Sequence, residues 1–245
     1  MIKKTGTLYG IGVGPGDPDL ITIKAAKILN QVDIVFAAAS TKNSHSLAVN
    51  IAREHIPESA TVIRLQFPMT RDKDKTRKAW KSHAQTIIAQ LEEGRNAAFL
   101  TLGDSMTYST YGYVLKYVQK LAPYLDVQTV PGITSYQAAA ARLNTPLVEG
   151  EESLMVVSGV KGGNRLRELC AKPENIVFLK AYRNVTDIKA AIDESGKYPS
   201  CVGVRSCGHP DEEIVRDIEE LSRRDPNYWT LILTKQATRN GSRET

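Results

Sequence analysis

Short runs of β-branched and apolar residues alternate along this chain with longer stretches in which apolar residues recur at helical spacing. The first run, Leu8-Tyr9-Gly10-Ile11-Gly12-Val13, is followed by a helical stretch from Ile21 to Gln31 and by a second run from Asp33 to Ala37. That order reads as a βαβ unit. Further strands are expected at Thr61 to Leu65, Ala97 to Leu102 and Val127 to Val130, with helices over Ser46 to His55, Lys75 to Glu92 and Gly112 to Leu121. Such alternation implies a largely parallel, doubly wound sheet. A helix from Ser135 to Leu143 is then broken by Asn144-Thr145-Pro146, and a second series begins. It has strands at Leu154 to Ser158, Ile176 to Tyr182, Cys201 to Arg205 and Trp229 to Thr234. Helices over Arg165 to Cys170, Val185 to Glu194 and Asp211 to Leu221 separate them. The expectation is an α/β protein of two domains, both with largely parallel sheets. They should span residues 1–130 and 131–238, ahead of a polar tail at 239–245.

Composition narrows this picture without overturning it. With 42% hydrophobic and 24% charged residues among 245, the chain can bury a sizeable core. Its 32 Lys and Arg against 27 Asp and Glu leave a net charge of +5, a modest surplus that suits a carboxylate-rich small molecule. The basic residues are scattered rather than interleaved with aromatics, which argues against nucleic acid as a partner. No run of about 18 apolar residues occurs, so no spanning helix and no membrane partner are expected. The first residues run almost directly into the first apolar segment, without the pattern of a secretion signal. Cys170, Cys201 and Cys207 are odd in number and lack a Cys-x-x-Cys pair, against both a disulfide framework and a zinc site. Cys207 and His209 lie near each other, but such a pair by itself reads as structural, so no metal site is expected, and a reducing cytoplasm fits.

The chemistry concentrates where strands end. After the first strand comes Gly12-Val13-Gly14-Pro15-Gly16-Asp17-Pro18, at the strand's carboxyl end, where open α/β sheets place ligands. It is neither the dinucleotide fingerprint, since Pro15 or Asp17 stands where the third glycine belongs, nor a P-loop. It reads either as a binding loop or as a tight turn needing positive φ at Gly14 or Gly16. The fourth strand leads into Leu102-Gly103-Asp104-Ser105-Met106-Thr107-Tyr108-Ser109-Thr110-Tyr111. There Gly103 lets a ligand approach the backbone, and Asp104 either accepts hydrogen bonds from it or caps the next helix. A third loop, Val130-Pro131-Gly132-Ile133-Thr134-Ser135, offers hydroxyls for a ligand or for a helix cap.

The order and spacing of these three loops resemble the tetrapyrrole methylases of cobalamin and sirohaem synthesis. Members of that family carry a first loop of the form Gly-x-Gly-Pro-Gly-Asp-Pro, matched from Gly12 to Pro18, a central Gly-Asp-Pro-type loop and a Val-Pro-Gly-Ile-Thr-Ser-like segment. Ser105 departs from the usual proline of the central loop. The likeness runs from about Thr7 to Gln236. Phe67-Pro68-Met69-Thr70, Trp80 and Tyr108 to Tyr111 are most similar to the members that methylate carbon 20 of precorrin-2 or cobalt-factor II.

The resemblance implies two α/β domains with a ligand cleft between them, S-adenosylmethionine as methyl donor, a carboxylate-rich tetrapyrrole as substrate, and a homodimer. Carried over by motif, cofactor contacts are expected at Pro15, at Leu102, Gly103, Asp104 and Thr107, and at Thr134 and Ser135. In the second domain they are expected at Lys180, Ala181, Tyr182, Cys207, Gly208, Thr230 and Leu231. The methyl sits on a sulfonium, so alignment and exclusion of water outweigh acid–base work. Asp104, Tyr108 and Tyr111 are the candidates for a catalytic or positioning group. Lys161, Arg165, Arg183 and Arg205 are candidates for the substrate's acetate and propionate arms. Two rivals stand beside this reading: another transfer within the family, to a different ring carbon or in diphthine synthesis, and a non-catalytic nucleotide-binding module.

Overall fold

The computed structural model describes residues 4–40, 46–68, 70 and 72–236; Met69 and the tail at 239–245 lie outside the described residues. The chain divides into two compact units, Met1–Thr134 and Ser135–Thr245, so the third loop stays with the first sheet rather than opening the second unit at residue 131.

The first unit is built on strands β1 (Thr7–Gly12), β2 (Ile34–Ser40), β3 (Thr61–Phe67), β4 (Ala97–Thr101) and β5 (Asp126–Val130), in the order β3-β2-β4-β1-β5. Every pairing is parallel. All five residues of the central β4 are buried, which explains why its sequence is a continuous apolar run rather than an alternating one. Helices α1 (Ile23–Leu29) and α2 (Leu47–Ala52) pack with Ile11, Val35, Ala98 and Leu100 on one face. Helices α3 (Lys73–Glu92) and α4 (Tyr111–Leu121) pack with Leu8, Ile34, Phe36 and Phe99 on the other. Helix α3 starts two residues earlier than its apolar pattern because Asp72 caps it, accepting from the backbone N–H groups of Asp74 and Lys75 at 2.9 and 3.1 Å. Its buried stripe is Ala84, Ile87 and Leu91, at the spacing one helical face requires.

Neighbouring strands β1 and β4 send their connections to opposite faces, α1 on one and α4 on the other. This is a topological switch point, the place where an open parallel sheet leaves a crevice at its carboxyl edge. Loops one and two leave from these two strands.

In the second unit, helix α5 (Ser135–Arg142) precedes strands β6 (Leu154–Ser158), β7 (Asn175–Leu179), β8 (Ser200–Arg205), β9 (Glu213–Val215) and β10 (Leu231–Lys235), with helices α6 (Asn164–Arg167), α7 (Val185–Ser195) and α8 (Ile218–Arg223). Sheet order is β6-β7-β10-β8-β9. Only β6 and β7 pair in parallel; β10 runs antiparallel between β7 and β8, and β9 antiparallel to β8. The expectation of a largely parallel second sheet is therefore corrected to a mixed one. The cause is local. Residues 211–221, read as one helix, hold instead the edge strand β9 and a short α8 capped by Asp217, so no crossover helix spans the whole interval and the chain returns in the opposite sense.

Candidate functional site at the strand ends

Four glycines, Gly12, Gly14, Gly103 and Gly132, bring the loops of the first unit together. The backbone N–H of Gly14 donates to the Gly103 carbonyl at 3.2 Å, and that of Gly103 donates to the Gly14 carbonyl at 2.7 Å, a two-residue antiparallel bridge across the switch point. Gly14 and Gly103 have φ of 83° and 71°, in the left-handed region that favours glycine. The positive φ thus falls on Gly14, while Gly16 does not share it. A Cβ on Gly12 would stand 2.6 Å from the Gly103 carbonyl oxygen and 2.7 Å from the Gly132 nitrogen, so all three loops meet backbone to backbone. A Cβ on Gly103 would meet only the Ile133 carbonyl oxygen, at 3.9 Å. The bare side of Gly103 is thus a place where a ligand can approach the main chain.

Asp104 ties these loops to one another. Its Oδ1 accepts from the Met106 N–H at 2.9 Å and the Thr107 hydroxyl at 3.1 Å, and its Oδ2 accepts from the Gly132 N–H at 3.1 Å. The helix-capping alternative is ruled out: α4 begins at Tyr111, with Thr110 in the cap position. A carboxylate offers about four acceptor sites, so Oδ2 keeps capacity for one more donor. Ser105 is fully buried, and its hydroxyl links the Thr101 hydroxyl at 3.2 Å to the Val130 carbonyl at 3.5 Å. The serine that replaces the usual proline is therefore a hydrogen-bonded strut beneath the loop.

The remaining candidates of this unit separate by burial. Pro15 is buried and Leu102 packs against the α1–α2 side of the sheet. Thr134 is buried, and Ser135 opens α5. Tyr108 is 52% exposed with φ 50°, an uncommon conformation for a residue with a side chain. Tyr111 must be corrected. It is fully buried, its hydroxyl pairs with that of Thr129 at 3.2 Å, and its ring fills the space beside Gly10, where a Cβ would lie 2.1 Å from the ring carbon Cζ. Burial pushes its phenol up, against a smaller opposing effect of Thr129, so it stays protonated near neutral pH. It is a core residue, not a catalytic one. Trp80 and Tyr113 stack with centroids 4.3 Å apart and planes 1° from parallel, a pairing of α3 with α4 that no local pattern announces.

In the second unit, the antiparallel setting of β10 places its first residue, Leu231, opposite Leu179 and Val204, near the carboxyl ends of β7 and β8. Residues expected to bind on three separate segments consequently converge. The Ala181 N–H donates to the Thr230 carbonyl at 3.0 Å, and the Ser206 N–H to the Trp229 carbonyl at 3.3 Å. Lys180 (φ 57°), Ser206 (φ 49°) and Gly208 (φ 79°) all hold left-handed backbone here. Asp211 accepts from the Ser206 hydroxyl at 2.9 Å, and the Asn227 amide donates to that same hydroxyl at 2.9 Å. The side chains of Ala181, Cys207 and Leu231 are buried, leaving these positions mainly their backbone to offer a ligand. Burial, helped by Glu212, pushes the Cys207 thiol up to about 12, so it is inert as a nucleophile at neutral pH.

Aromatic and basic side chains surround this turn. Tyr182 and Tyr228 meet edge to face at 5.4 Å, Lys180 lies over the Tyr228 ring at 5.7 Å and Arg183 over the Tyr182 ring at 5.2 Å. His209 packs on Trp229 with centroids 5.7 Å apart. Tyr228, Trp229 and His209 were not legible as site residues, because only the fold of β10 brings them beside β7 and β8. Of the four basic candidates, Arg205 is committed elsewhere: it pairs with Glu213 at 2.5 Å and donates to the Asp225 carbonyl at 2.9 Å. Arg165 pairs with Glu168 at 3.2 Å on an exposed helix face. Lys161 ends a 3-10 turn at Gly159–Lys161. Among the described residues, no group of three or more His, Cys, Asp or Glu is placed to hold a metal, and no helix is long and apolar enough to cross a membrane.

Residues 7–222 match the model of the tetrapyrrole (corrin/porphyrin) methylases. The chain is 33% identical over 233 residues to the cobalt-precorrin-2 C(20)-methyltransferase of Salmonella typhimurium, covering 94% of this chain and 97% of that one. It is 30% identical over 239 residues to the precorrin-2 C(20)-methyltransferase of a Sinorhizobium species, covering 93% and 94%. Among solved structures, the uroporphyrin-III C-methyltransferase of Thermus thermophilus complexed with S-adenyl homocysteine superposes with a TM-score of 0.68 at 22% identity, over 98% of this chain and 97% of that one.

Proposed function

The chain belongs to the tetrapyrrole (corrin/porphyrin) methylases, and from that premise we propose that it transfers one methyl group from S-adenosylmethionine to carbon 20 of precorrin-2 or of its cobalt-containing counterpart. What carries the choice of carbon is the near-full-length likeness to two C(20)-methyltransferases from different organisms. Cobalt, where present, belongs to the substrate. In the first unit Gly103 and Asp104 offer a cofactor main chain and a carboxylate; in the second, the turn of Lys180, Gly208 and Thr230 offers mainly backbone.

S-adenosylmethionine supplies an electrophilic methyl on its sulfonium, and the substrate supplies an electron-rich carbon, so the protein's task is alignment in a dry site. Gly103 contributes an approachable main chain. Asp104 fixes the relative placement of the second and third loops through three hydrogen bonds and keeps one acceptor site for the cofactor. Tyr108, exposed at the same loop, is a side chain of the first unit that can steer the substrate. Lys180 and Arg183 offer cations to carboxylate arms. Three cysteines described as free thiols favour the reducing cytoplasm as the compartment. The homodimer belongs to this proposal through the family resemblance.

The reaction is tested with methyl-labelled cofactor and, side by side, metal-free precorrin-2 and cobalt-factor II. One labelled methyl should appear on the bridge between the first and last pyrroles in at least one product. Label on another carbon would retain the family and remove this assignment. A second expectation concerns Asp104→Asn, which keeps one acceptor oxygen and turns an amide toward one of the three donors. Calorimetry with S-adenosylhomocysteine should show a loss of about 1–3 kcal/mol, the range for a hydrogen bond to a charged group. Undiminished affinity would remove Asp104 from the cofactor site.

A further inference from the structure

Helix α3 carries its charges the wrong way round. Its first half, Lys73 to Lys81, holds five cations, Lys73, Lys75, Arg77, Lys78 and Lys81, against the single Asp74. That is a net +4 in a chain whose whole excess is +5. The last turn has no basic residue and ends on Glu92, with Glu93 in the cap position. The helix macrodipole favours the opposite arrangement, acids first and cations last. Lys73, Arg77 and Lys81 also stand four residues apart, where like charges repel along one face. Among the described residues the one ion pair in this stretch joins Arg77 to Asp74 at 3.8 Å, with both side chains exposed. Such a pair contributes little, so the fold itself does not account for the cluster.

The position of the cluster relates it to the candidate site. Helix α3 begins past the carboxyl end of β3, and α4 past the loop that leaves β4, so both helices start at the carboxyl edge where the three loops meet. All five cations are exposed. Lys73 and Arg77 continue toward that edge the helix face on which Trp80, Ala84, Ile87 and Leu91 lie. Trp80 stacks on Tyr113 of α4, which holds this end of α3 against the helix that follows the second loop. Because the indole is already stacked, the face offers charge rather than a platform for a ring. It fits the carboxylate arms of a tetrapyrrole.

We infer that the basic face of α3 captures the carboxylate-rich tetrapyrrole by its acetate and propionate arms and steers it to the carboxyl edge of the first sheet. This rests on the reaction proposed above. The exposed cations act through their summed field: a cluster of one sign raises the local concentration of an oppositely charged ligand and its rate of encounter, and salt weakens both effects. S-adenosylmethionine carries a cationic sulfonium and gains nothing from such a field, so the face distinguishes the substrate from the cofactor.

The test variant carries Lys73→Gln, Arg77→Gln and Lys81→Gln together, since glutamine keeps the helix propensity. A control variant carries Lys24→Gln, Lys27→Gln and Arg53→Gln, three exposed cations on α1 and just after α2, at the other face of the sheet. At low salt the α3 variant should show a kcat/KM for the tetrapyrrole about tenfold below wild type, with kcat unchanged. The difference should vanish near about 1 M salt, where the Debye length is about 3 Å. Binding of uroporphyrin, read by its fluorescence without turnover, should weaken by a similar factor, and coproporphyrin, with fewer carboxylates on the ring, should lose less. Affinity for S-adenosylhomocysteine should not change, and the melting point should hold or rise as like charges are removed. An α3 variant with wild-type kcat/KM at low salt, or a control variant that loses as much, overturns the inference. So does a melting point that falls together with the affinity for S-adenosylhomocysteine, which would make the cations structural. Duplex DNA that binds wild type but not the α3 variant, with kcat/KM unchanged, gives the face to nucleic acid and overturns it too. Wild-type protein that binds uroporphyrin through these cations yet transfers no methyl group removes the reaction proposed above and leaves the capture of a tetrapyrrole standing, a different result.

Discussion

Gly132→Ala should disable the protein more than any side-chain truncation in the three loops. The added Cβ would lie 2.3 Å from the Gly103 carbonyl oxygen and 2.7 and 2.8 Å from the carbonyl carbon and Cα of Gly12. All three are main-chain atoms, so no rotamer change relieves the contact. The third loop must move off the first two, and with it goes the bond from the Gly132 N–H to Asp104. Overpacking of this kind costs about 1–3 kcal/mol and occasionally more, and a fall of roughly 4–11 °C in melting temperature follows for a domain of this size. Because the displaced atoms are those that shape the proposed site, affinity for S-adenosylhomocysteine should fall by more than tenfold. Gly112→Ala is the control. It lies in the first turn of α4 with nothing within 4 Å of its added Cβ, and a glycine replaced by alanine in a helix gains about 0.5–1 kcal/mol. Equal melting points and affinities for wild type and Gly132→Ala would show that the loops do not meet as described.

That contact marks the limit of what could be read along the chain. The strand from Leu154 to Ser158 follows directly from its apolar run, and the helix ending at Glu92 from its period, because both signals are local. The glycine-rich composition of the three loops was equally visible. That Gly12, Gly103 and Gly132 touch one another was not, because the contact joins residues about 30 and 90 positions apart through sheet order. In the second unit, Asp211-Glu212-Glu213 looks like the acidic first turn of a helix. A three-residue strand is too short for its period to contradict that. The antiparallel course of β10 depends on that strand, and it is this course that sets Trp229 beside His209. Asp104 was legible as an acceptor, yet the identity of its donors waited on the third loop.

Tyr111 supplies the other large effect and settles its own role. Tyr111→Ala removes a fully buried ring from the core between α3, α4 and the sheet. Emptying such a site costs about 3–5 kcal/mol. Tyr111→Phe keeps the ring and loses only the hydroxyl bond to Thr129, about 0.5–1.5 kcal/mol, and should transfer methyl groups at close to the wild-type rate. A catalytic phenol would reverse that order, with Tyr111→Phe stable but inactive. The ring's packing against the bare Cα of Gly10 gives an independent check. Gly10→Ala alone drives a methyl group into the ring carbons, 2.1 to 2.4 Å away, whereas Gly10→Ala joined with Tyr111→Leu gives the methyl room where the ring stood. Residues in contact couple by about 0.5–3 kcal/mol, so denaturant unfolding should find the double variant more stable than the two single losses predict. Simple additivity would mean that strand β1 and helix α4 do not share this contact, and the choice of glycine at position 10 would then need another cause.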